Sequence, residues 1–498
     1  MSQVFDVAII GGGVNGCGIA RDAAGRGLSV YLCEQGDLAS GTSSASTKLL
    51  HGGLRYLERF EFRLVREALT EREVVWRIAP HIVRPLRFVL PHGSQTRPRW
   101  MIRIGLFLYD HLGGRKLLPP SRTLDLEKDP AGQPLKPGFG TAFEYSDCWI
   151  DDARLVALNA RDAANRGATI KTRVRAVSAE RGPDEWRLTT EDRRTGARET
   201  IVARSLVNAG GPWVGTILGI LRQPRRHDIR LVQGSHIVVP RLFAHDRCYV
   251  FQNRDGRIVF AIPYERRFTL IGTTDTDYSG DPARVAATDE EIRYLCESAN
   301  AYFAASITPS DTVWSYSGVR CLLAEGGADA QAATRDYLLE FDEKEGAPLL
   351  TVFGGKITTY RRLAEQALDE LGPHFPQGRA AGRWTARAPL PGGDFPLMAV
   401  PTLVEDLRRE HSGLSEEDAL RLVRSYGTDA QRILQDAAGE RIFGAGLGEA
   451  EVRHLMREEF ALEADDVVWR RSKLGLRMSP AEVEALRVFM GEETRSAA

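Results

Sequence analysis

A glycine-rich turn near the amino terminus constrains the fold of this chain more than any other feature. The apolar run Val4–Ile10 leads into Gly11, Gly13 and Gly16, which have the spacing G-x-G-x-x-G, and after a helical pattern a second apolar segment ends at Glu34. In such a βαβ unit the glycines let backbone amides approach a pyrophosphate, and the helix N-terminus favours its negative charge. The acid can accept ribose hydroxyls. The sequence therefore predicts an α/β domain that binds a dinucleotide.

The glycine motif does not distinguish NAD from FAD, but the segment that follows it bears on the choice. Residues 37–58 read DLASGTSSASTKLLHGGLRYLE, a run of small hydroxyl residues that ends in a His-Gly-Gly triplet. Small side chains and free amides suit backbone contact with an extended pyrophosphate and ribityl chain. Composition alone favours the alternative of a serine-rich surface loop.

Composition limits the other possibilities. A chain of 498 residues exceeds what one core normally supports, so two or three domains are expected. The formal net charge of -1 argues against nucleic acid as a partner and against bulk attraction to anionic lipid. The 6 cysteines form no C-x-x-C pair, so we expect reduced thiols, no metal site and a cytoplasmic protein. The N-terminus lacks the basic region of a signal peptide, so no export is expected.

The chain closely resembles the aerobic, FAD-dependent glycerol-3-phosphate dehydrogenases, a family among the glutathione-reductase-like and amino-acid-oxidase-like flavoproteins. The motifs that carry the resemblance extend almost to the C-terminus, and they are GGGVNGCGIARDAAGRGLSV, TSSASTKLLHGGLRYLE, FEYSDCWIDDARLV, GSHIVVP, IGTTD, YSGVR, TRDY, FGGKITTYR and DVVWRRSKLGL. The resemblance implies an α/β fold with a Rossmann-like FAD-binding domain, an antiparallel-sheet substrate domain and a C-terminal helical domain.

The expected domain bounds follow from these motifs and from changes in pattern. Alternating β-branched segments begin at Arg230 and include NRDG as a hairpin turn, which predicts the antiparallel sheet. A helix is predicted to start within residues 145–156 and to end at Gly167 before a strand over residues 169–179, and SLVNA is predicted as a separate short strand. We expect FAD-binding segments at 1–80, 145–229 and 345–390, a substrate- or membrane-facing insertion at 81–144, a substrate domain at 230–344 and a helical domain at 391–498.

The resemblance and the glycine motif together nominate the residues that contact FAD. One position departs from the family, which commonly has threonine where Gly210 stands. The helix that begins after FGGK would direct its N-terminus, with Lys356, at the flavin, where positive charge favours reduction. The nominated residues are Gly11, Gly13, Gly16, Glu34, Thr42, Ser43, Ser46, Lys48, Leu50, His51, Gly52, Gly53, Val174, Ala209, Gly210, Gly211, Trp213, Gly354, Gly355, Lys356, Ile357 and Thr358.

The resemblance implies oxidation of sn-glycerol 3-phosphate to dihydroxyacetone phosphate by hydride transfer to FAD, with electrons passed to membrane quinone. Removing a proton from an alcohol needs a base and cationic stabilisation. The resemblance places His236 and Arg320 at the substrate; we favour His236 as the base, because arginine stays protonated, and the choice between them stays open. For the phosphate the motifs nominate Arg55, Tyr56, Thr273, Arg320, Arg335 and Lys356. Cys321 stands where the family usually has proline.

Two alternatives to a quinone-linked dehydrogenase remain at this stage. An oxidase of the same fold would pass the electrons to oxygen and release peroxide. A protein of another class would bind flavin without catalysis and act as a membrane redox sensor or scaffold.

The segment from Pro98 to Lys116 mixes large apolar residues with arginines and is shorter than the ~20 residues needed to span a bilayer. It fits either a helix in the membrane interface or a buried helix with basic ends. Because the resembled family is monotopic, we expect no transmembrane helix but peripheral association with the cytoplasmic face of the inner membrane, and a homodimer is possible.

Overall fold

The computed structural model describes residues 3–93, 97–114, 116–253, 255–323, 336–375, 382–435 and 441–496. The strands are β1 (Val4–Ile10), β2 (Val30–Glu34), β3 (Leu49–Leu50), β4 (Val83–His92), β5 (Arg122–Asp125), β6 (Thr141–Ile150), β7 (Thr169–Thr172), β8 (Val174–Arg181), β9 (Trp186–Asp192), β10 (Arg198–Asn208), β11 (Ile229–Pro240), β12 (Cys248–Gln252), β13 (Ile258–Tyr264), β14 (Phe268–Gly272), β15 (Thr276–Asp277), β16 (Trp314–Leu323), β17 (Leu338–Asp342), β18 (Leu349–Phe353), β19 (Ile442–Gly444) and β20 (Leu447–Gly448). The helices are α1 (Val14–Gly25), α2 (Phe62–Ile78), α3 (Arg99–Leu112), α4 (Asp152–Asn165), α5 (Val214–Ile220), α6 (Asp289–Asn300), α7 (Tyr360–Leu371), α8 (Val400–Glu410), α9 (Glu416–Tyr426), α10 (Asp429–Gln435), α11 (Glu449–Glu458) and α12 (Pro480–Ser496).

The first sheet forms the dinucleotide-binding layer. Its parallel strands have the order β18-β10-β1-β2-β7, while β17 and β9 add antiparallel neighbours to β18 and β10. The strand Val4–Ile10 is almost wholly buried because helices α1, α4 and α7 contribute to one core on its face. Continuous apolar runs are typical of parallel strands that are covered on both faces. The predicted βαβ unit is confirmed.

The second sheet has ten strands and carries the predicted substrate-facing surface. Its main order is β15-β11-β14-β13-β12-β4-β6-β3, with β16 on β11 and β5 on β6. The pairs are antiparallel except β4 with β12, which is parallel, so the sheet is mixed rather than wholly antiparallel. Strands β12 and β13 pair antiparallel on either side of NRDG, of which Arg254 lies outside the described residues. One face packs on α6, and the other packs on α2 and α3.

The C-terminal part is mainly helical, as predicted, with the small hairpin β19–β20. Its own core contains residues of α8, α9, α11 and α12. Buried ion pairs join it to the first domain: Arg154 of α4 pairs with Glu459, and Arg471 pairs with Asp37. From the sequence, packing and solvated charge are expected for Trp469, Arg470, Arg471 and Lys473 rather than a site. Arg471 is not solvated, because its guanidinium is buried against a carboxylate.

Three predicted elements differ from the structure. The helix expected to start within residues 145–156 begins only at Asp152, because residues 145–150 pair with β4 as part of β6 and Asp151 then caps the helix by accepting the Arg154 N–H at 3.2 Å. SLVNA is continuous with β10. The strand expected over residues 169–179 is divided at Arg173, whose φ is 60°.

The predicted domain bounds stay a prediction. Sheet membership differs from them at three short segments. The strand Leu49–Leu50 and residues 145–150 pair within the second sheet, and Leu338–Asp342 pairs within the first. The chain therefore passes between the two sheets more often than the bounds imply.

Candidate active site

The glycine turn has the geometry that a pyrophosphate site requires. Gly11 has a φ of 119°, and a Cβ there would lie 2.5 Å from the carbonyl oxygen of Ala209. A Cβ on Gly16 would lie 1.9 Å from the oxygen of Gly11, so α1 reaches the strand only because the side chain is absent. Helix α1 begins after Gly13 without a side-chain cap, which leaves its N-terminal amides directed at the turn.

Glu34 closes the turn from the end of β2. Its carboxylate accepts the N–H groups of Gly12 and Gly36, each at 2.7 Å. Burial raises the pKa of Glu34, and the hydrogen bonds from the two amides oppose that rise. Val174 begins β8 and is buried. The structure therefore places Glu34 at the end of β2 and Val174 at the start of β8, a strand that contacts β2 without pairing with it.

The hydroxyl-rich loop lies between the two sheets. Ser43 Oγ accepts the Val14 N–H at 2.9 Å, so the loop contacts the first turn of α1. Thr42 Oγ1 donates to the carbonyl of Val319 in β16 at 2.5 Å. The predicted cofactor loop is therefore joined to the glycine turn on one side and to the second sheet on the other.

Ser46 and Lys48 contact a residue that sequence analysis missed. Lys48 Nζ donates to Asp152 Oδ1 at 2.7 Å and to the carbonyl of Ser44 at 3.0 Å, and Ser46 Oγ donates to Asp152 Oδ2 at 2.7 Å. Lys48 and Asp152 are both fully buried. The Lys48–Asp152 ion pair fixes the conformation of the loop immediately before β3, the strand that contains Leu50.

The His-Gly-Gly triplet connects this loop to the last part of the site. His51 N–H donates to Thr358 Oγ1 at 3.3 Å, and Gly52 N–H donates to the hydroxyl of Tyr109 at 2.8 Å. Gly53 has a φ of 78°, which favours glycine. The triplet thus lies against the turn that follows β18, as the cofactor prediction requires.

The turn after β18 approaches α1. Gly354 and Gly355 have φ values of 70° and 104°, and the carbonyl of Gly354 accepts Asn15 Nδ2 at 3.1 Å. The 3-10 turn Ile357–Thr359 then leads into α7. Lys356 precedes that turn, and its Nζ lies 3.8 Å from the ring centroid of Tyr56.

The segment after β10 explains one departure from the family pattern. A Cβ on Gly210 would lie 2.1 Å from Ile217 Cδ1, so the isoleucine of α5 occupies the space that a threonine side chain would need. Gly211 has a φ of 54° and opens the 3-10 turn that contains Trp213. The Trp213 ring lies against Gly41 of the cofactor loop.

His236 is buried on the face of β11 that turns towards the cofactor loop. Its Nε2 lies 2.9 Å from Thr47 Oγ1, and its ring stacks on Tyr316 with centroids 4.8 Å apart. Burial, together with the positive charges of Arg320 and Lys48, lowers the pKa of His236 well below 6.5. The imidazole is therefore neutral at physiological pH and able to accept a proton.

Arg320 lies on β16, close to His236 of β11. Its guanidinium pairs with Asp275, and Nη2 donates to Thr273 Oγ1 at 3.1 Å. A Cβ on Gly234 would lie 2.2 Å from Arg320 Nη2, so the missing side chain leaves room for the guanidinium. The next residue, Cys321, packs in a buried apolar cluster with Val214 and Phe353, and burial raises its pKa to about 11.

The structure brings most nominated substrate residues into two neighbouring groups. One contains His236, Thr273 and Arg320, and the other contains Tyr56 and Lys356. Phe260 connects them, because its ring lies 6.5 Å from that of His51 and its backbone pairs with Gly272, which abuts the imidazole of His236. Arg55 lies beside Tyr56 in the 3-10 helix Leu54–Arg59. Arg335 lies outside the described residues, so its nomination stays a prediction.

Sequence reasoning missed four residues that hold this arrangement. Each lies inside a motif that was already noted, so its position was marked although its contact was not. They are Thr47 in TSSASTK, Asp152 in WIDDARLV, Asp275 in IGTTD and Tyr316 in YSGVR.

Comparison with known families identifies the fold. The sequence model described as FAD dependent oxidoreductase matches residues 6–361. The chain belongs to this FAD-dependent oxidoreductase family. A second model, described as the C-terminal domain of alpha-glycerophosphate oxidase, matches residues 383–492. The expected fold class and the FAD cofactor are therefore confirmed.

Individual relatives cover nearly the whole length of this FAD-dependent oxidoreductase. A glycerol-3-phosphate dehydrogenase of Pseudomonas aeruginosa is 53% identical over 99% of this chain and 96% of its own. A D-erythritol 1-phosphate dehydrogenase of Brucella abortus is 50% identical over 96% of both. The crystal structure of the Bacillus halodurans glycerol-3-phosphate dehydrogenase with FAD shares 27% identity and a TM-score of 0.79, over 99% of this chain and 91% of that one. The family resemblance is confirmed.

The residues of this chain fit FAD. Side chains are absent where a pyrophosphate must approach, at Gly11 and Gly13, and the N-terminus of α1 is directed there. Glu34 supplies a carboxylate at the adenosine end, and the glycines after β18 leave space near the N-terminus of α7. The individual assignments of FAD-contacting residues stay predictions.

The Lys48–Asp152 pair generates a stability prediction. We expect Asp152→Asn to lower the free energy of unfolding by about 3–5 kcal/mol, because a buried ammonium loses its counter-charge. The double variant Lys48→Met/Asp152→Asn removes both charges and should be more stable than Asp152→Asn alone. Urea denaturation followed by circular dichroism measures both values. A double variant less stable than Asp152→Asn would contradict the assignment of the cost to an unpaired charge.

Proposed function

We propose that this chain oxidises sn-glycerol 3-phosphate to dihydroxyacetone phosphate with FAD as the first electron acceptor, and that the electrons then pass to membrane quinone. The names of the long relatives support the substrate class. The observation that carries the proposal is the neutral, buried His236 beside the cationic Arg320, on the sheet face that looks towards the cofactor loop.

The first requirement of the reaction is removal of the alcohol proton. Oxidation of the carbinol breaks its O–H and C–H bonds, and two electrons leave with the hydride. Bound FAD supplies the acceptor for that hydride. His236 takes the proton, because its lowered pKa leaves a lone pair available at neutral pH. Thr47 and Tyr316 hold the imidazole through a hydrogen bond and ring stacking.

The second requirement is charge stabilisation. Arg320 keeps its proton and is oriented by Asp275 and Thr273, so it can stabilise negative charge that develops on the carbinol oxygen. Arg55 and Lys356 supply further cations for the phosphate, since a dianion that loses its hydration needs charge-assisted hydrogen bonds. Tyr56 is assigned to the phosphate site as well, and its ring lies against Lys356.

Purified holoenzyme under argon tests the function directly. We expect sn-glycerol 3-phosphate to bleach the oxidised-flavin absorption and a soluble quinone analogue to restore it. Because one long relative acts on a four-carbon substrate, D-erythritol 1-phosphate is the comparison substrate. Faster bleaching by D-erythritol 1-phosphate would replace the proposed substrate. Rapid peroxide formation in air would favour an oxidase, and no bleaching by either compound would leave a flavin-binding protein without this activity.

The environment of His236 predicts a pH profile for flavin reduction. A base with a pKa below 6.5 stays neutral as the pH falls through neutrality, so the rate should be flat there and should fall only at more acidic pH. His236→Ala should slow reduction by about 10²- to 10⁴-fold while FAD stays bound. Arg320→Gln removes a positive charge that lowers the pKa, so its acidic limb should move to higher pH. Stopped-flow absorbance measures each profile.

Arg320→Lys is the matched control for the electrostatic part of this prediction. It keeps the positive charge but loses the guanidinium fork, so its acidic limb should stay where the unmodified enzyme has it. Wild-type reduction rates in His236→Ala would reassign the base. If the acidic limb of the pH profile of Arg320→Gln is not shifted, the charge of Arg320 does not act on the imidazole of His236.

We further propose that α3 attaches the protein to the membrane. None of the described helices combines the length and hydropathy needed to cross a bilayer. Helix α3 buries Ile102, Leu106 and Tyr109 against the protein. Its opposite face exposes Trp100 (63%), Ile104 (54%) and Phe107 (60%), next to exposed arginines. Exposed aromatic residues with flanking arginines are typical of a helix that lies among lipid headgroups.

Neighbouring residues extend this apolar surface. Phe60 is 78% exposed at the end of the helix Leu54–Arg59, on which α3 packs. Arg97 Nη2 pairs with Glu58 Oε2 at 2.6 Å, which ties the start of α3 to that end. The surface supports peripheral association with the cytoplasmic face of the inner membrane, where quinone is available.

Vesicle binding tests the surface. We expect Trp100→Ser/Phe107→Ser to weaken sedimentation with anionic phospholipid vesicles by about tenfold or more, because two aromatic side chains no longer enter the interface. Reduction by glycerol 3-phosphate in solution should be retained. The control Val313→Ser/Val488→Ser changes two apolar residues, each 51% exposed elsewhere, and should bind vesicles normally. Equal loss in both variants would contradict the assignment to α3.

A further inference from the structure

A short segment of the C-terminal domain contacts the loops beside the adenosine end of the FAD site. This segment is the π-helical turn Asp466–Arg471. Arg471 makes two hydrogen bonds to Asp37, from Nη1 to Oδ2 at 2.6 Å and from Nη2 to Oδ1 at 2.7 Å. Arg470 Nε donates to the same carboxylate at 2.5 Å. A forked pair of this kind fixes geometry as well as charge.

The turn that contains Asp37 is joined to the glycine turn by a backbone hydrogen bond. The Ala39 N–H donates to the carbonyl of Gly12 at 3.0 Å, so the turn that contains Asp37 lies directly on the glycine turn. The N–H of Gly12 in turn donates to Glu34 Oε2 at 2.7 Å. A displacement of Asp37 therefore reaches both the pyrophosphate turn and the carboxylate nominated for the ribose.

The same π-helical turn also contacts the second loop at this end. Arg173 Nη2 donates to Asp466 Oδ1 at 2.8 Å, and Arg470 pairs with the same carboxylate. The backbone N–H of Arg173 donates to the carbonyl of Gly36 at 2.9 Å, so the two loops are also joined to each other. Arg173 immediately precedes Val174, which is nominated for contact with FAD.

These contacts are buried and specific. Asp37 is 1% exposed and Arg471 is 1% exposed, so neither charge can exchange its partner for water without the domains separating. No residue of the turn is nominated for contact with substrate. Its contacts therefore affect the cofactor site without taking part in the chemistry.

We infer that the C-terminal turn Asp466–Arg471 holds the adenosine end of the FAD site closed, and that this segment sets how slowly FAD leaves the protein. Arg470 and Arg471 act as positioning residues through Asp37, and Asp466 does so through Arg173. The inference rests on FAD as the cofactor and not on the identity of the substrate, so it stands or falls independently of the proposed reaction.

Release of FAD from purified holoenzyme tests the inference. After dilution into FAD-free buffer, filtration and fluorescence give the rate at which flavin appears free in solution. We expect Arg471→Gln to accelerate release by about tenfold or more, because Asp37 loses its forked partner. Arg471→Lys should give an intermediate rate. The KM for glycerol 3-phosphate of fully loaded enzyme should not change.

Arg161→Gln is the matched control. It breaks another ion pair between α4 and the C-terminal domain, with Asp429 at 2.8 Å, away from the adenosine loops. It should release FAD at the unmodified rate. Equal acceleration in Arg161→Gln and Arg471→Gln would overturn the inference, because general loosening of the domains would then explain both. An unchanged release rate in Arg471→Gln would also overturn it.

A second variant and a double-mutant cycle keep the inference testable if Arg471→Gln does not fold. Arg470→Gln removes the outer, less buried contact to Asp37 and should also accelerate release. Asp37→Asn and Asp37→Asn/Arg471→Gln complete a double-mutant cycle. If both residues act through one contact, the double variant should release FAD no faster than about the faster single variant. Multiplicative acceleration would contradict a shared contact.

Discussion

The close approach of α1 to β1 is the constraint on which the rest of the structure depends. A side chain on Gly16 would overlap the carbonyl of Gly11, and one on Gly11 would overlap that of Ala209, so this packing is possible only with glycine. Because the helix lies so near the sheet, its N-terminal amides reach the edge where β1 and β10 end. Contacts from Glu34, Ser43 and the turn after β18 then converge on the same point.

Charges around this point are buried in pairs, and their arrangement decides which groups can react. Lys48 is neutralised by Asp152, and Arg320 is oriented by Asp275. His236 has no carboxylate partner among its described contacts, and the two cations nearby disfavour its protonation. The arginine and the lysine each have a carboxylate partner, whereas burial and these two cations lower the pKa of the histidine.

The C-terminal domain is part of the cofactor site's support rather than a separate appendage. Its π-helical turn pairs with Asp37 and Arg173 beside the glycine turn, and Trp469 of the same turn stacks on Trp314 with centroids 4.8 Å apart. Trp314 begins β16, the strand that also carries Arg320. One short segment thus contacts both the adenosine end of the first domain and the substrate-facing sheet.

The sequence by itself determined the βαβ unit, the alternating strands of the second sheet and the helical C-terminal part, because glycine spacing and apolar periodicity are local properties. It also determined the FAD family, through motifs that resemble those of known flavoproteins. Only the tertiary structure decided that Lys48 pairs with Asp152, 104 residues away, and that Arg471 pairs with Asp37, 434 residues away. It also decided that residues 145–150 form a strand, since their pairing with β4 overrides the local helical pattern. Contacts between distant segments leave no periodic trace in the chain, so they follow only from packing.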